Sequence, residues 1–438
     1  MIVQDGPLRT RSTYGGKDMN FWNNKVMPFF ESLTRNKYLN AISQGMMNLM
    51  PILLMGSLAV LLLVFPLKDV QNMVASIGLT PILASVNNFT IGFMAVYVSF
   101  FVARALIQQY DKTDDGVRGG ILSLLCFFII TPLTNTEAGS VLSFEWLGAS
   151  GVFTAMFTGL FVGRLYLLFI QKGITLNLSE AIPPMIRQVF SSLVPFFCIS
   201  VIFMIISILF NNTIYGSVHQ AIYSLIQTPL KNFGGNIWAI ILLATVGQLL
   251  WFFGIHGTNV TLPLMQPVLM AMDAENLSAA AAGLPMPNTV GYAFFATYTL
   301  CATSIGFAIM MLFAKSEQYR AVGKVAAPAA IFGISEPMVF GTPLVLNFTF
   351  AIPFILTNGI VLFIAYLLTV SGIVPPCLGA NPVFGLPIGL HATIQGSWKI
   401  VVLQVLLQVV GAFIYYPFFK YADKKAYKSE QERLQEKG

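Results

Sequence analysis

Two ionisable side chains stand in stretches of sequence that hold almost no other charge. Glu336 lies in Gly333-Ile334-Ser335-Glu336-Pro337-Met338-Val339-Phe340-Gly341, with no Lys or Arg between Lys324 and Lys399. His256 lies in Trp251-Phe252-Phe253-Gly254-Ile255-His256-Gly257-Thr258-Asn259. A carboxylate can accept from two hydroxyls at once, and neutral imidazole donates one hydrogen bond and accepts another. Pro337 denies Glu336 a regular helix, and the glycines beside His256 suggest a bend that exposes the ring. The amides of Asn259, Asn288, Asn347 and Gln395 and the rings of Trp251, Phe252, Phe384 and Trp398 complete the set. Polar rims around an aromatic platform suit a carbohydrate, which has apolar C–H faces and hydroxyl edges. For each residue a bland alternative stands beside this: a hairpin-capping carboxyl, a satisfied histidine, or aromatics that only pack or face lipid.

Other chemistries find no support. His219 and His391 are dispersed from His256, and Cys126, Cys198, Cys301 and Cys377 sit singly in apolar runs, so neither a metal site nor a disulfide framework is expected. The cysteines read as small core residues. No Gly-rich Lys-Ser or Lys-Thr loop and no dinucleotide fingerprint is present, so no cofactor is expected and the chain should not hydrolyse ATP by itself. The net charge of +6 follows membrane topology, not nucleic acid.

The elements that position these residues must lie in a bilayer. Of 438 residues 56% are apolar and only 10% charged, against roughly 25% charged in a globular domain. A crossing helix needs about 20 apolar residues. Eight segments approach or meet that: Leu49 to Phe65, Phe89 to Ile107, Gly151 to Ile170, Val189 to Phe210, Ile237 to Phe253, Tyr292 to Phe313, Phe348 to Val370 and Ile400 to Phe419. Gly119 to Leu133 is short, and Thr258 to Met272 is short and interrupted by Pro263 and Pro267. Basic residues concentrate in cytoplasmic loops and so arbitrate. Arg9, Arg11, Lys17, Lys25, Arg35 and Lys37 hold the amino-terminal arm inside. Lys68, the base-free stretch 134–149 and Lys231 alternate outside with clusters at 104–118 and 164–187 inside. Only if both weaker segments cross do Lys315, Arg320, Lys324 and the basic tail from Lys420 come to lie inside. The expected fold is therefore an all-α polytopic membrane protein with about ten transmembrane helices and both termini cytoplasmic, in the plasma membrane, inserted without a cleaved signal peptide.

Residues 326–347 and 375–396 are apolar but broken by Pro328, Pro337, Pro343, Pro375, Pro376, Pro382 and Pro387, with interspersed glycines. Broken helices are tolerated at membrane depth only inside protein or beside water, so both read as re-entrant hairpins. Amphipathic surface helices are expected at Phe21 to Leu33 and Ile174 to Phe190. The chain then divides into a cytoplasmic arm with an amphipathic helix (1–47), a five-helix half (48–234), a transport half (235–419) and a cytoplasmic tail (420–438).

At these motifs the sequence resembles enzyme IIC of the bacterial phosphotransferase system, in its lactose, cellobiose and diacetylchitobiose branch. The likeness runs from Met19-Asn20-Phe21 to Ile414-Tyr415-Tyr416-Pro417-Phe418-Phe419. Gly254-Ile255-His256-Gly257, Gly333-Ile334-Ser335-Glu336-Pro337, Phe340-Gly341, Pro343-Leu344-Val345-Leu346-Asn347, Val374-Pro375-Pro376 and Gly396-Ser397-Trp398 carry it. The resemblance implies a permease that binds an external disaccharide, moves it inward and presents it for phosphorylation. It implies a homodimer formed by the first half, with 48–234 as that dimerisation half, and a pocket holding His256 and Glu336. The short termini have no room for IIB-like or IIA-like domains, so cytoplasmic IIB and IIA are expected as separate chains. Phe348 stands where the family commonly has Pro, Val383-Phe384-Gly385 where it often has Trp-Thr-Thr, and Pro287-Asn288 where it has Pro-His, so the sugar is left open. The competing readings are a proton-coupled secondary transporter, with Glu336 and His256 as a relay, and a sugar receptor without flux.

Overall fold

The computed structural model describes residues 35–63, 68–136, 139–176, 179, 183–254, 257–299, 305–342, 344–381 and 386–435. Lipid offers no partner to a free amide or carbonyl, so the apolar segments satisfy their backbones internally as helices. The first half comprises α1 (Lys37–Leu63), α2 (Lys68–Ser76), α3 (Thr80–Thr90), α4 (Met94–Tyr110), α5 (Val117–Ile130), β1 (Leu133–Thr136), β2 (Gly139–Leu142), α6 (Phe144–Leu147), α7 (Val152–Gln171), α8 (Pro184–Asn211), α9 (Val218–Ile222) and α10 (Thr228–Gly234). The second comprises α11 (Ile237–Phe252), α12 (Gly257–Ala281), α13 (Tyr292–Thr299), α14 (Ile305–Leu312), α15 (Glu317–Ile331), α16 (Glu336–Gly341), α17 (Ala351–Val370), α18 (Leu390–Thr393) and α19 (Trp398–Gln435). Among the described residues six helical stretches are long and apolar enough to cross a bilayer: α1, Thr80–Tyr110, Ala149–Gln171, Val189–Asn211, α17 and α19. The protein is thus a helical, multi-pass membrane protein.

Several elements depart from expectation, each for a physical reason. The all-α reading misses one antiparallel hairpin, in which Leu133 pairs with Leu142 and Thr136 with Gly139; it sits in the connection assigned outside, where water can serve its edges. The expected surface helix at Ile174 to Phe190 does not form as a unit: Ile174–Leu176 is not helical, and Pro184–Phe190 is the first part of α8, since Pro is tolerated in a first helical turn. Phe21 to Leu33 lies outside the described residues. α12 runs through Pro263 and Pro267 to Ala281, well past the expected end at Met272. α19 is 38 residues long, about 57 Å at 1.5 Å per residue, so it crosses a core of about 30 Å and continues as the helical tail.

The first half packs through small residues. α4 lies between α1 and α7, the most intimate helix pairs of the molecule. A Cβ on Gly45 would stand 2.7 Å from Val102 Cγ2, and one on Gly159 3.0 Å from Ser99 O, so the helices approach to backbone contact. Close approach supplies the dispersion that must hold membrane helices together, because lipid is as apolar as leucine. Around this core Phe197, Ile208 and Leu209 of α8 form an exposed apolar surface.

Beside α5 and α6, His219 is buried against Phe127 and Trp146, with ring centroids 5.0 and 5.5 Å away. The Thr131 hydroxyl donates to Phe127 O at 2.7 Å, so across the 3.0 Å contact His219 Nε2 must be the donor. Nδ1 then carries the lone pair and has no partner among the described residues. Burial pushes the imidazole down from 6.5 to about 4. The unfolded chain takes up a proton below about pH 6.5 that the folded chain refuses until about pH 4, so this stability is complete above the window and is lost as pH falls through it. The thermal midpoint in detergent should therefore drop between pH 6.5 and 4, and His219→Gln, which keeps a donor for Thr131, should flatten that drop. An unchanged pH slope in the variant would contradict the burial argument.

Candidate functional site

The end of α11 and the start of α12 form the first part of the site. Phe253 and Gly254 (φ +85°) close α11, and α12 begins at Gly257. A Cβ on Gly257 would lie only 1.8 Å from Gly247 O, so only glycine lets the two helices meet this closely. His256 falls between them, outside the described residues, as do the side chains of Asn259 in the first turn of α12 and of Glu336.

The second part is the broken segment after α15. That helix runs through Pro328 and ends at Ile331, later than the expected start of the hairpin, with Gly333 at φ +74° and the Ile334 amide donating to Ala329 O. Ser335 precedes α16, whose first residues are Glu336 and Pro337; Pro is tolerated there because a first-turn amide needs no helical acceptor. The chain then turns through Leu346, which holds φ +55° although it is not glycine. The turn brings its amide to Phe252 O at 2.9 Å, while Val345 packs over Gly254 and the Phe348 ring meets Phe252 at 5.5 Å. Phe252, Met338, Val339, Leu344 and Phe350 form one buried cluster, with half-buried Trp251 against it. The backbone that closes α11 is thus joined to the chain that follows α16.

The other two expected site residues lie elsewhere. Asn347 Oδ1 accepts from the Thr349 amide at 3.1 Å, and its side chain lines a cavity of about 330 Å³ shared with Lys425 and Arg433 of α19. Asn288 is buried near the far end of α12, about 25 Å along the helix from Gly257. Its Nδ2 donates to Met272 O at 3.0 Å and to Glu275 Oε2 at 2.9 Å. The Asn276 side chain grips its backbone, accepting from Asn288 N at 2.9 Å and donating to Asn288 O at 2.8 Å.

The same polar knot holds the second broken segment. Asn276 Nδ2 also donates to Cys377 O at 3.2 Å, Gly379 (φ +90°) packs on the Asp273 backbone, and Gln395 Nε2 donates to Ala380 O at 2.8 Å. Asp273 Oδ2 accepts from Ala293 N at 2.7 Å, placing a carboxylate at the amino end of α13. Gln404 of α19 accepts from Gly389 N and donates to Thr297 O, each at 2.8 Å. Ile388 N donates to Ile331 O at 2.9 Å, so the two broken segments touch. Asp273, Glu275 and Asn276 escaped the sequence reading because it ended the helix at Met272; acidic residues just past two prolines were the available signal. Among the described residues no cluster of three His, Cys, Asp or Glu could hold a metal ion.

The family profile of the phosphotransferase system, EIIC, matches residues 43–358. The chain belongs to that family. The oligo-beta-mannoside-specific EIIC component of Bacillus subtilis (strain 168) is 30% identical over 424 residues, covering 93% of this chain and 95% of that protein. The lactose-specific EIICB component of Staphylococcus aureus (strain N315) is 28% identical, covering 93% of this chain and 73% of that one. The crystal structure of the transporter ChbC, the IIC component from the N,N'-diacetylchitobiose-specific phosphotransferase system, superposes with a TM-score of 0.87 at 27% identity, covering 94% of this chain and 99% of that one. The protein is thus the sugar permease component of a phosphotransferase system, and the proton-coupled reading is not favoured.

In this IIC permease, Asn276→Ala would leave the buried Asn288 amide and the Cys377 carbonyl without partners. Unpaired buried groups cost roughly 1–3 kcal/mol each, so a loss of about 3 kcal/mol is expected. Thermal unfolding in detergent checks it, with exposed Asn212→Ala as the control; equal midpoints would contradict the role given to the knot.

Proposed function

We propose that this permease carries a β-linked disaccharide inward and presents it at the junction of α11, α12 and α16 to a cytoplasmic IIB protein bearing a phosphocysteine. The observation that carries the reading is the hydrogen bond from Leu346 N to Phe252 O, which ties the chain around Glu336 to the chain around His256. Glu336 and His256 hold the hydroxyl that will be phosphorylated, and one of them eases its proton away while IIB supplies the phosphoryl group in line. Asn259 and Trp251 complete the pocket on the α11–α12 side. Asn347 lies toward the cavity shared with Lys425 and Arg433, and Asn288 serves the sugar's path at the far end of α12. Three of the relatives are named for oligo-β-mannoside, lactose and N,N'-diacetylchitobiose, which share a β linkage, and this supports that substrate class.

The topology of the proposal has about ten crossings, 326–347 and 375–396 as re-entrant hairpins, and both termini in the cytoplasm. The alternation of basic loops supports it. Residues 48–234 form the dimerisation half of a homodimer and 235–419 the transport half. IIB and IIA act as separate proteins; the lactose relative is named as a IICB fusion, so a IIB partner can also be covalent. Phosphorylation traps the product inside.

Glu336→Gln and His256→Ala should each abolish accumulation of phosphorylated sugar while expression and oligomeric state stay unchanged. Either variant accumulating product at the normal rate refutes its residue's role. Sealed vesicles that concentrate unmodified sugar from a pH gradient, without phosphotransferase proteins, would overturn the mechanism.

A further inference from the structure

A second cavity, of about 550 Å³, opens near the end of α12 remote from Gly257. Its walls come from the end of α3 with Asn87 and Asn88, from α6 with Phe144 and Glu145, and from α12 with Glu275 and Ser278. The charge placement that puts Lys68, the stretch 134–149 and Lys231 outside also puts this opening on the external face. From Ser278 to Gly257 is about 30 Å along the helix, close to one hydrocarbon thickness. The cavity is therefore separate from the junction that carries Glu336.

Three features of the wall identify what fits. Asn87, only 7% exposed, forms part of the wall, and its buried Oδ1 has no hydrogen-bond partner among the described residues. A buried acceptor without a partner is costly, so this one awaits a donor. Phe144 is 45% exposed, and its ring is braced edge-on by Phe93 at 5.3 Å and Phe89 at 6.2 Å, giving a rigid apolar platform. Glu275 is neutralised by its ion pair with Lys231 and oriented by Asn288, so it offers an acceptor without a strong net field for cations. Amide, carboxylate and hydroxyl around one aromatic face match an uncharged polyol with an apolar side, and the volume lies within the roughly 300–1,000 Å³ range of small-molecule sites.

We infer that this cavity is an external entry site for the transported saccharide, in which Asn87 and Glu145 bond its hydroxyls, Phe144 stacks on one ring, and Asn288 positions Glu275. The inference rests on the protein being a sugar permease, and it deepens the proposed function by giving the sugar a stop before the Glu336 junction. It also specifies the part of Asn288 in the sugar's path, through its hydrogen bond to Glu275.

The test uses full-length protein in sealed cells with Ser278→Cys as reporter and Ala282→Cys as a second reporter in the same wall. Uptake of one member of a panel (mannobiose, cellobiose, lactose, N,N'-diacetylchitobiose) is first established with Glu336 intact. Glu336→Gln is then added to stop turnover, and a membrane-impermeant maleimide is applied from outside. Transported sugar at roughly two to nine times its Kd should slow labelling roughly three- to tenfold, because the reporter is open only in the fraction 1/(1+[L]/Kd) of molecules. Asn87→Ala or Phe144→Ala should remove that protection and raise the external KM for uptake. Reporters that are not labelled from outside, labelling that the transported sugar leaves unchanged, or protection by calcium chloride alone would each overturn the entry site. The Glu336 reading fails on a different result, uptake that survives Glu336→Gln, so the two can be told apart.

Discussion

In a bilayer, every amide and carbonyl freed by a broken helix must find a partner within the protein, and the second half of this molecule is organised by that need. Its breaks satisfy one another. The carbonyl of Phe252, left over as α11 ends, receives the amide of Leu346; the carbonyl of Ile331, left over as α15 ends, receives the amide of Ile388. Where no backbone partner is in reach, amide side chains bridge: Asn276 to Cys377 O, Gln395 to Ala380 O, Gln404 to Thr297 O. The joining of α11 to the chain after α16 is therefore a consequence of how the breaks are paired.

The first half solves the opposite problem. Its helices are largely continuous, and glycines such as Gly45 and Gly159 allow contact through backbone and small side chains. Packing of this kind has one good arrangement and resists sliding, whereas a half whose elements are joined by a few directional bonds can exchange partners. The 550 Å³ cavity lies where the two kinds of construction meet, with one wall from α3 and α6 and the other from α12.

Much of this was legible because hydrophobic length and basic residues speak about the bilayer directly. α7, α8, α11 and α17 lie within a few residues of the apolar segments that announced them, except for the five-residue amino-terminal extension of α8. The charge argument that demanded a broken crossing after His256 anticipated α12, whose prolines hid its true length. The meeting of the two motifs was legible as two strings of unusual residues but not as a contact: nothing in Leu346 or Phe252 by itself signals a hydrogen bond between chain positions so far apart. The β hairpin was invisible for a related reason, since eight residues in a loop carry too little pattern to overrule a helical background. Asn288 and Asn347 matched a chemistry that amides share with structural roles, and both side chains make backbone hydrogen bonds.

The long α19 ties the start of α15 to this arrangement. Asp423 accepts from the amides of Lys315 and Ser316, each at 2.9 Å, and Glu430 accepts from those of Glu317 and Gln318 at 3.0 and 3.1 Å. These four amides belong to the residues opening α15, where a helix presents unpaired donors and its positive end, so two carboxylates on one helix hold the start of another. α15 leads directly into Glu336, and α19 also carries Gln404, which binds the second broken segment. Both broken segments are thus fastened to one helix, which is too long to end within the bilayer. Pro417 removes a backbone hydrogen bond from α19 between the Gln404 and Asp423 attachments, so the helix has a bending point there, and the two segments share one support without being locked into a single motion.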